Sequence, residues 1–135
     1  MKRNGIINAD ISRVLSYMGH TDTIAVGDCG LPIPDETERI DLALKLGVPS
    51  FMDVFKEVAK EMKIEKMVLA EEIREKNPKI HEEILAVAKE MDGACEVVYV
   101  SHVELKAQTK TCKAVIRTGE TTPYANIILQ SACLF

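Results

Sequence analysis

The sequence predicts an α/β fold, namely a three-layer α/β/α arrangement with a central mixed, mostly parallel sheet. Short apolar segments alternate along the chain with longer segments whose apolar residues recur at helical spacing. Strands that alternate with helices typically form a sheet whose two faces are covered by helices. The apolar fraction of 47% and the mean hydropathy of +0.00 are those of a globular chain and not of a disordered one.

Length and composition predict a single domain, residues 1–135, with no internal repeat or linker. The net charge of −4 and the pI near 5.4 argue against a nucleic-acid partner. No apolar run approaches the ~18 residues of a membrane span, and the basic start Met1–Gly5 lacks the apolar segment of a signal peptide. The four cysteines are scattered, without a Cys-x-x-Cys pair. We therefore expect a reduced, cytoplasmic protein with no nucleic-acid and no membrane partner.

The first helix and the first strand have recognisable ends. Asn8 is a suitable N-cap, and Asp10 suits the positive end of the helix dipole. Apolar residues follow at helical spacing until Gly19, which predicts the stop of the helix. The strand from Thr23 to Val26 then ends at Gly27-Asp28.

The rest of the chain continues the alternation. Ser50 is predicted to cap a helix with Asp53 at the capping-box position, and Pro78 lies near the first turn of another helix. In chain order, the remaining predicted elements are a strand at 39–44, a helix at 51–62, a strand at 65–70, a helix at 78–91, a strand at 95–100, a short helix at 103–109, and strands at 113–117 and 126–134.

Polar residues follow two of the predicted strands. Asp28 follows the first strand and His102 follows the strand at 95–100, and ligands of open α/β sheets bind at the carboxyl ends of strands. His20 lies just beyond the first helix, within eight residues of Asp28. An imidazole can relay a proton, and a carboxylate can orient it or bind a substrate hydroxyl. The alternatives are structural: a surface histidine at 20, a turn residue at 28 and a helix-cap neighbour at 102.

The connection between the last two strands is unusually long and polar. A hairpin loop typically has about two to five residues, whereas this connection includes three threonines, a glycine, a proline, Tyr124 and Asn126. On an extended chain these last two side chains point to the same side. A tyrosine hydroxyl beside an amide can bind a small polyol. The alternative is a loop in which the tyrosine packs and the asparagine caps a turn.

Common cofactor and metal motifs are missing from the sequence. There is no His-x-x-x-His, no His-Glu-x-x-His and no cysteine pair of the kind that marks a metal site. Glycine-rich dinucleotide and phosphate loops and the Gly-x-Ser-x-Gly elbow are also missing. We expect neither a metal nor a cofactor.

Four segments carry a resemblance to one family: Gly19–Asp22, Asp28–Pro34, Gly47–Phe51 and Arg117–Leu129. On these segments the chain resembles the ribose pyranase and fucose mutarotase family, and the resemblance extends from Gly5 to Phe135. Fucose mutarotases typically read Asp-Ala-Asn-Phe-Pro after the first strand and Tyr-Gly-Asn in the last motif. This chain has Asp-Cys-Gly-Leu-Pro and Tyr-Ala-Asn instead, so it resembles the ribose pyranases more. Cys29 replaces the family's usual alanine.

The resemblance implies an isomerase that interconverts the pyranose and furanose forms of D-ribose without metal or cofactor. The family's catalytic histidine matches His20, and its substrate-binding residues match Asp28, His102, Tyr124 and Asn126. The family forms homo-oligomers, with rings of five subunits stacked into decamers. Its sugar lies in a cleft between neighbouring subunits, and the Tyr–Asn segment is contributed across that boundary.

A second hypothesis belongs to another functional class. The protein could be a sugar-binding module or transport accessory that holds ribose without turning it over. A pure binder needs partners for the sugar hydroxyls but no titrating proton carrier such as His20. The rate of ring exchange with and without the protein separates the two hypotheses.

Overall fold

A computed structural model describes residues 1–91 and 93–135. The helices are α1 (Ala9–Tyr17), α2 (Phe51–Glu61), α3 (Ile73–Lys76), α4 (Pro78–Lys89) and α5 (His102–Gln108), with a 3₁₀ turn at Thr109–Thr111. The strands are β1 (Thr23–Gly27), β2 (Glu38–Asp41), β3 (Ile64–Ala70), β4 (Glu96–Val100), β5 (Ala114–Arg117) and β6 (Ile127–Ser131).

The six strands form one sheet in the order β2-β5-β1-β6-β3-β4. The pairs β2–β5, β1–β5 and β3–β4 are parallel, and β6 is antiparallel to both β1 and β3. The prediction of a mixed, mostly parallel sheet is confirmed. The carboxyl ends of β1 to β5 and the start of β6 therefore share one edge of the sheet, here called the carboxyl edge. The opposite edge, the amino edge, holds the starts of β1 to β5 and the end of β6.

Alternate residues of the central strands enter two separate cores. On one face, Ile24 and Val26 pack with apolar residues of α1, α2 and α4, including the stacked rings of Phe51 and Phe55. On the other face, Ala25 packs with Leu105 of α5 and with the segment beyond it. The three predicted layers are present, and the second helical layer is thin.

Side-chain caps define the helix starts. The Asn8 side chain accepts a hydrogen bond from the N–H of Ile11, and the Ser50 hydroxyl accepts one from the N–H of Asp53. Both predicted caps are confirmed. Helix α1 ends at Tyr17, so Gly19 lies beyond its end and opens the turn that carries His20.

Some predicted boundaries are wrong. Strand β2 ends at Asp41 and not at residue 44, because the N–H of Leu44 bonds to the carbonyl of Val48 and the chain turns back. Strand β6 ends at Ser131, opposite the start of its partner β3 at Ile64. Helix α4 ends at Lys89, two residues early, and the short helix α3 was not predicted. No helix in the described residues is both long and apolar enough to cross a bilayer.

Candidate active site

Asp28 is held in place at the carboxyl edge by Asn126. Because Val26 of β1 pairs with Ile127 of β6, the next position along β1 and the residue before β6 are neighbours. The Asn126 Oδ1 atom accepts a hydrogen bond from the backbone N–H of Asp28, and its Nδ2 atom donates one to the Asp28 carboxylate, each at 2.9 Å. The N–H of Gly30 donates to the other carboxylate oxygen, also at 2.9 Å. The carboxylate therefore has a fixed orientation.

Glycine at position 27 allows this approach. A Cβ atom there would lie 2.6 Å from Cδ2 of Leu31 and 2.9 Å from Oδ1 of Asn126. These distances are too short for a side chain, so only glycine lets Asn126 reach Asp28 without displacement.

Tyr124 lies in a tight turn and not on an extended segment. Its φ of 57° is left-handed, and its carbonyl accepts a hydrogen bond from the N–H of Asn126 at 2.9 Å. The expectation that an extended chain places Tyr124 and Asn126 on the same side is therefore wrong. The turn is anchored from α4, because Nδ2 of Asn77 donates to the Thr122 hydroxyl and to the Pro123 carbonyl, each at 2.9 Å.

His102 lies against Tyr124 at the carboxyl edge. The two rings meet edge to face, with centroids 5.0 Å apart. His102 is the first residue of α5 and does not end β4, because the Ser101 hydroxyl caps the helix at the N–H of Glu104. Its own N–H donates to the Glu72 carboxylate at 3.0 Å. These bonds fix the backbone of His102 at the start of α5.

The surroundings of the His102 ring favour its neutral form. Burial and the nearby Lys106 lower the pKa of His102, while Glu72 and Asp28 act in the opposite direction. Its Nδ1 atom is buried and has no hydrogen-bond partner among the residues that the structure describes. A neutral imidazole offers one donor and one acceptor nitrogen, which suits a sugar hydroxyl.

The loop that follows Asp28 is anchored on both sides. The carbonyl of the buried Glu120 accepts a hydrogen bond from the N–H of Cys29 at 2.9 Å, and its carboxylate accepts one from the N–H of Phe51 at the start of α2. Arg117 donates to the Cys29 carbonyl at 3.1 Å and pairs with the carboxylate of Asp41. The loop that follows Asp28 is therefore held to the sheet and to α2 by hydrogen bonds.

His20 lies at the amino edge, away from the other four candidates. The N–H of Thr21 donates to the carbonyl of Ser131 at the end of β6, and strand β1 separates His20 from Asp28. A five-residue strand spans about 17 Å. Within one chain the structure therefore unites Asp28, His102, Tyr124 and Asn126 but does not bring His20 to them. His20 and Asp28 are therefore close in sequence but far apart within one folded chain.

Both edges of the sheet carry exposed apolar side chains. Leu44, Leu46 and Val103 are exposed at the carboxyl edge, and Tyr17 and Leu134 at the amino edge. Exposed apolar groups around polar residues are typical of interaction surfaces.

Comparison with known proteins places the chain in a family. It matches the RbsD / FucU transport protein family over residues 1–134. The chain belongs to the RbsD / FucU family. The predicted family resemblance is confirmed.

Relatives within this family are similar over their full lengths. The chain is 52% identical to a D-ribose pyranase of Clostridium botulinum and 53% identical to one of Bacillus cereus, each over 135 residues and all of both chains. The structure of Bacillus subtilis RbsD complexed with D-ribose matches with a TM-score of 0.94 at 46% identity, covering 100% of both chains. A fucose mutarotase of Streptococcus pneumoniae in complex with L-fucose matches at 21% identity with a TM-score of 0.73, covering 96% of this chain and 95% of that chain, and shares the fold.

Sequence reasoning missed several residues that shape these sites. Asn77 precedes Pro78, a recognisable helix-cap pattern, yet its bonds to Thr122 and Pro123 span 45 residues or more. Glu65 stands in an ordinary strand pattern, and nothing in the sequence marks its contact with His20.

Proposed function

We propose that this protein is a D-ribose pyranase, a cytoplasmic and cofactor-free isomerase that interconverts the pyranose and furanose forms of D-ribose. The observation that carries the proposal is its full-length similarity to D-ribose pyranases at 52–53% identity. The match to RbsD complexed with D-ribose supports the same substrate.

Four residues at the carboxyl edge are proposed to bind the sugar. The fixed carboxylate of Asp28 accepts hydrogen bonds from hydroxyls, and the neutral ring of His102 and the hydroxyl of Tyr124 complete the polar set. Asn126 is 1% exposed, and both of its polar side-chain atoms bond to Asp28. Its contribution to binding therefore acts largely through the orientation of Asp28. A site with fixed polar partners rejects sugars that lack the matching hydroxyl.

The catalytic site is proposed to form between two copies of the chain. His20 of one subunit meets the Asp28 cluster of its neighbour, so that the amino edge of one copy contacts the carboxyl edge of the next. The separation of the two groups within one chain and the exposed apolar side chains at both edges support this arrangement. A head-to-tail contact of this kind repeats until the ring closes. Rings of five subunits, stacked into a decamer, are the proposed assembly.

Opening the sugar ring and closing it again each require two proton transfers. On opening, the anomeric hydroxyl loses a proton and the ring oxygen gains one, which releases the aldehyde. On closing to the furanose, the C4 hydroxyl loses its proton as it attacks the aldehyde carbon, and the carbonyl oxygen gains one. The imidazole of His20 can act as base and then as acid, because an imidazole ring can both accept and donate a proton. General acid–base catalysis typically contributes ~10²–10⁴-fold, which suits a reaction that already proceeds in water.

The experiment is a saturation-transfer NMR measurement on D-ribose with the parent protein and with His20→Ala. We expect the parent to accelerate exchange and the variant to lose the acceleration while keeping its fold, because His20 is half exposed and outside the core. Full activity of the variant would exclude His20 as the proton carrier. Ribose binding without faster exchange by the parent would favour the sugar-binding accessory, the role that the family's transport description suggests.

A further inference from the structure

A β-bulge at Glu65 interrupts the pairing of β3 with β6. Ile64 lies opposite Ser131 and Lys66 lies opposite Gln130, so that Glu65 has no partner residue of its own on β6. Bulges change the direction of a side chain, and they are common beside active sites. Here the bulge lies at the amino edge, next to the turn that carries His20.

The Glu65 carboxylate joins two side chains. Its Oε2 atom lies 3.0 Å from Nε2 of His20, and its Oε1 atom accepts a hydrogen bond from Nε2 of Gln130 at 2.6 Å. Each carboxylate oxygen thus has one nitrogen partner. Asp22 is the other acidic residue of the turn that carries His20. It accepts a hydrogen bond from the N–H of Gly19 and forms an ion pair with Lys113.

The charge on Glu65 decides which nitrogen of His20 carries the hydrogen. The hydrogen bonds from Gln130 and from His20 lower the pKa of Glu65, with a smaller contribution from Lys66, so that the carboxylate is charged at neutral pH. A charged carboxylate can only accept hydrogen bonds. The Nε2 atom of His20 must then be the N–H donor, and Nδ1 is the unprotonated nitrogen of the neutral ring.

We infer that Glu65, held by Gln130, is the positioning residue of His20, and that Nδ1 is the atom of His20 that exchanges protons with the sugar. This inference rests on the proposed function and deepens it. Nδ1 takes the proton of the anomeric hydroxyl and returns one to the ring oxygen, while the hydrogen on Nε2 stays on its bond to Glu65. The carboxylate fixes the tautomer and stabilises the imidazolium that forms between the two transfers, as the aspartate does in serine-protease triads.

The first test is Glu65→Gln. The glutamine amide has one oxygen for two donors, and its NH₂ group can donate to Nε2 of His20 and so favour the opposite tautomer. We expect kcat for D-ribose exchange to fall by about 10- to 100-fold, less than the ~10⁴ typical of a buried triad because this pair is partly exposed. KM should change little, since Glu65 lies behind the imidazole and does not touch the sugar.

A readout independent of activity is the ¹⁵N NMR spectrum of the histidine side chains. The chain has three histidines, so His20→Ala identifies the His20 signals. We expect the Nε2–H tautomer in the parent and a shift toward Nδ1–H in Glu65→Gln. The Nδ1–H tautomer in the parent would overturn the inference whatever the activity.

Two further variants serve as controls. Glu96→Gln removes an exposed carboxylate from β4, opposite Lys66, and should keep both the rate and the tautomer of the parent. Glu65→Asp keeps the charge and should recover part of the activity lost in Glu65→Gln. A parental rate in Glu65→Gln with an inactive His20→Ala would overturn the role of Glu65 and leave the proposed function intact. A parental rate in His20→Ala would exclude His20 as the proton carrier and overturn this inference, whereas no acceleration of D-ribose exchange by the parent protein would overturn the proposed function itself.

Discussion

Asn126 holds Asp28 through both of its polar side-chain atoms. One accepts from the backbone N–H of Asp28 and the other donates to its carboxylate, each at 2.9 Å. The two residues are 98 positions apart in sequence, yet they form one unit at the carboxyl edge of the sheet. This unit orients the charge that we propose for sugar binding.

The first prediction is that Asn126→Ala slows D-ribose exchange and destabilises the fold. The substitution leaves the N–H of Asp28 without its acceptor and the carboxylate without one of its donors. A buried polar group that loses its partner costs about 1–3 kcal/mol. Denaturant unfolding and saturation-transfer NMR measure the two effects.

A double variant that interchanges the two side chains separates the effect on stability from the effect on activity. In Asp28→Asn combined with Asn126→Asp, the carboxylate at 126 can accept from both the backbone and the side chain of residue 28, and the side-chain oxygen at 28 can still accept from Gly30. We expect the stability lost in Asn126→Ala to return but the activity to stay low, because the charge has moved away from position 28. If the stability of the double variant stayed as low as that of Asn126→Ala, this description of the pair would be wrong.

The second prediction compares two glycines on either side of Asp28, one at the end of β1 and one in the loop that follows. Gly27→Ala forces Leu31 and Asn126 to move, and overpacking of this kind typically costs about 1–3 kcal/mol. At Gly30 the nearest atom to an added Cβ is Oδ1 of Asp28 at 3.5 Å, an ordinary contact. Thermal unfolding should show a lower Tm for Gly27→Ala than for Gly30→Ala. Equal Tm values would contradict the close approach at position 27.

The third prediction tests whether the site is shared between copies. His20→Ala and Asp28→Ala should each be inactive alone. When the two variants are co-expressed in equal amounts, about one quarter of head-to-tail interfaces pair an intact His20 with an intact Asp28 cluster. We expect activity to return to about that fraction of the parent. A mixture as inactive as either variant would place the whole site within one chain.

The fourth prediction concerns stability at mildly acidic pH. Burial and the nearby Arg74 lower the pKa of His81, which shares a hydrogen bond with the Tyr99 hydroxyl. Unfolded histidine titrates near ~6.5, so below that pH the unfolded chain binds more protons than the folded one. The contribution of His81 to the unfolding free energy is therefore fully present above about pH 6.5, and it decreases as the pH falls below that value.

His81→Gln provides the control for this effect. The loss of unfolding free energy between pH 7.5 and 5.5 should be smaller in the variant than in the parent, with both measured at the same protein concentration. His102, whose pKa is also lowered, accounts for part of the remaining slope. Identical slopes would show that His81 is not linked to folding.

Local signals in the sequence predicted much of the fold. Helix caps such as Asn8 and Ser50 and the alternation of apolar segments set the elements and their order, and these depend on neighbouring residues only. The boundaries of β2 and β6 were less accurate, because a strand ends where its partner ends and the partner is distant in sequence. The reversed direction of β6 follows from the same long-range pairing.

The candidate site could be predicted only in part. Asp28 and His102 follow parallel strands, which places them at one edge by a general rule. His20 precedes β1, and the length of that strand carries it to the opposite edge. The Glu65–His20 contact arises from a bulge, and a bulge depends on the register of two strands whose residues at this point, Glu65 and Gln130, are 65 positions apart.

The most direct test of the proposed activity is the exchange rate of D-ribose between its pyranose and furanose forms at catalytic protein concentration. Saturation-transfer NMR measures this rate, and L-fucose under the same conditions serves as the comparison sugar. We predict a clear acceleration for D-ribose and little or none for L-fucose anomer exchange. An unchanged D-ribose exchange rate in the presence of folded, assembled protein would contradict the proposal that this protein is a D-ribose pyranase.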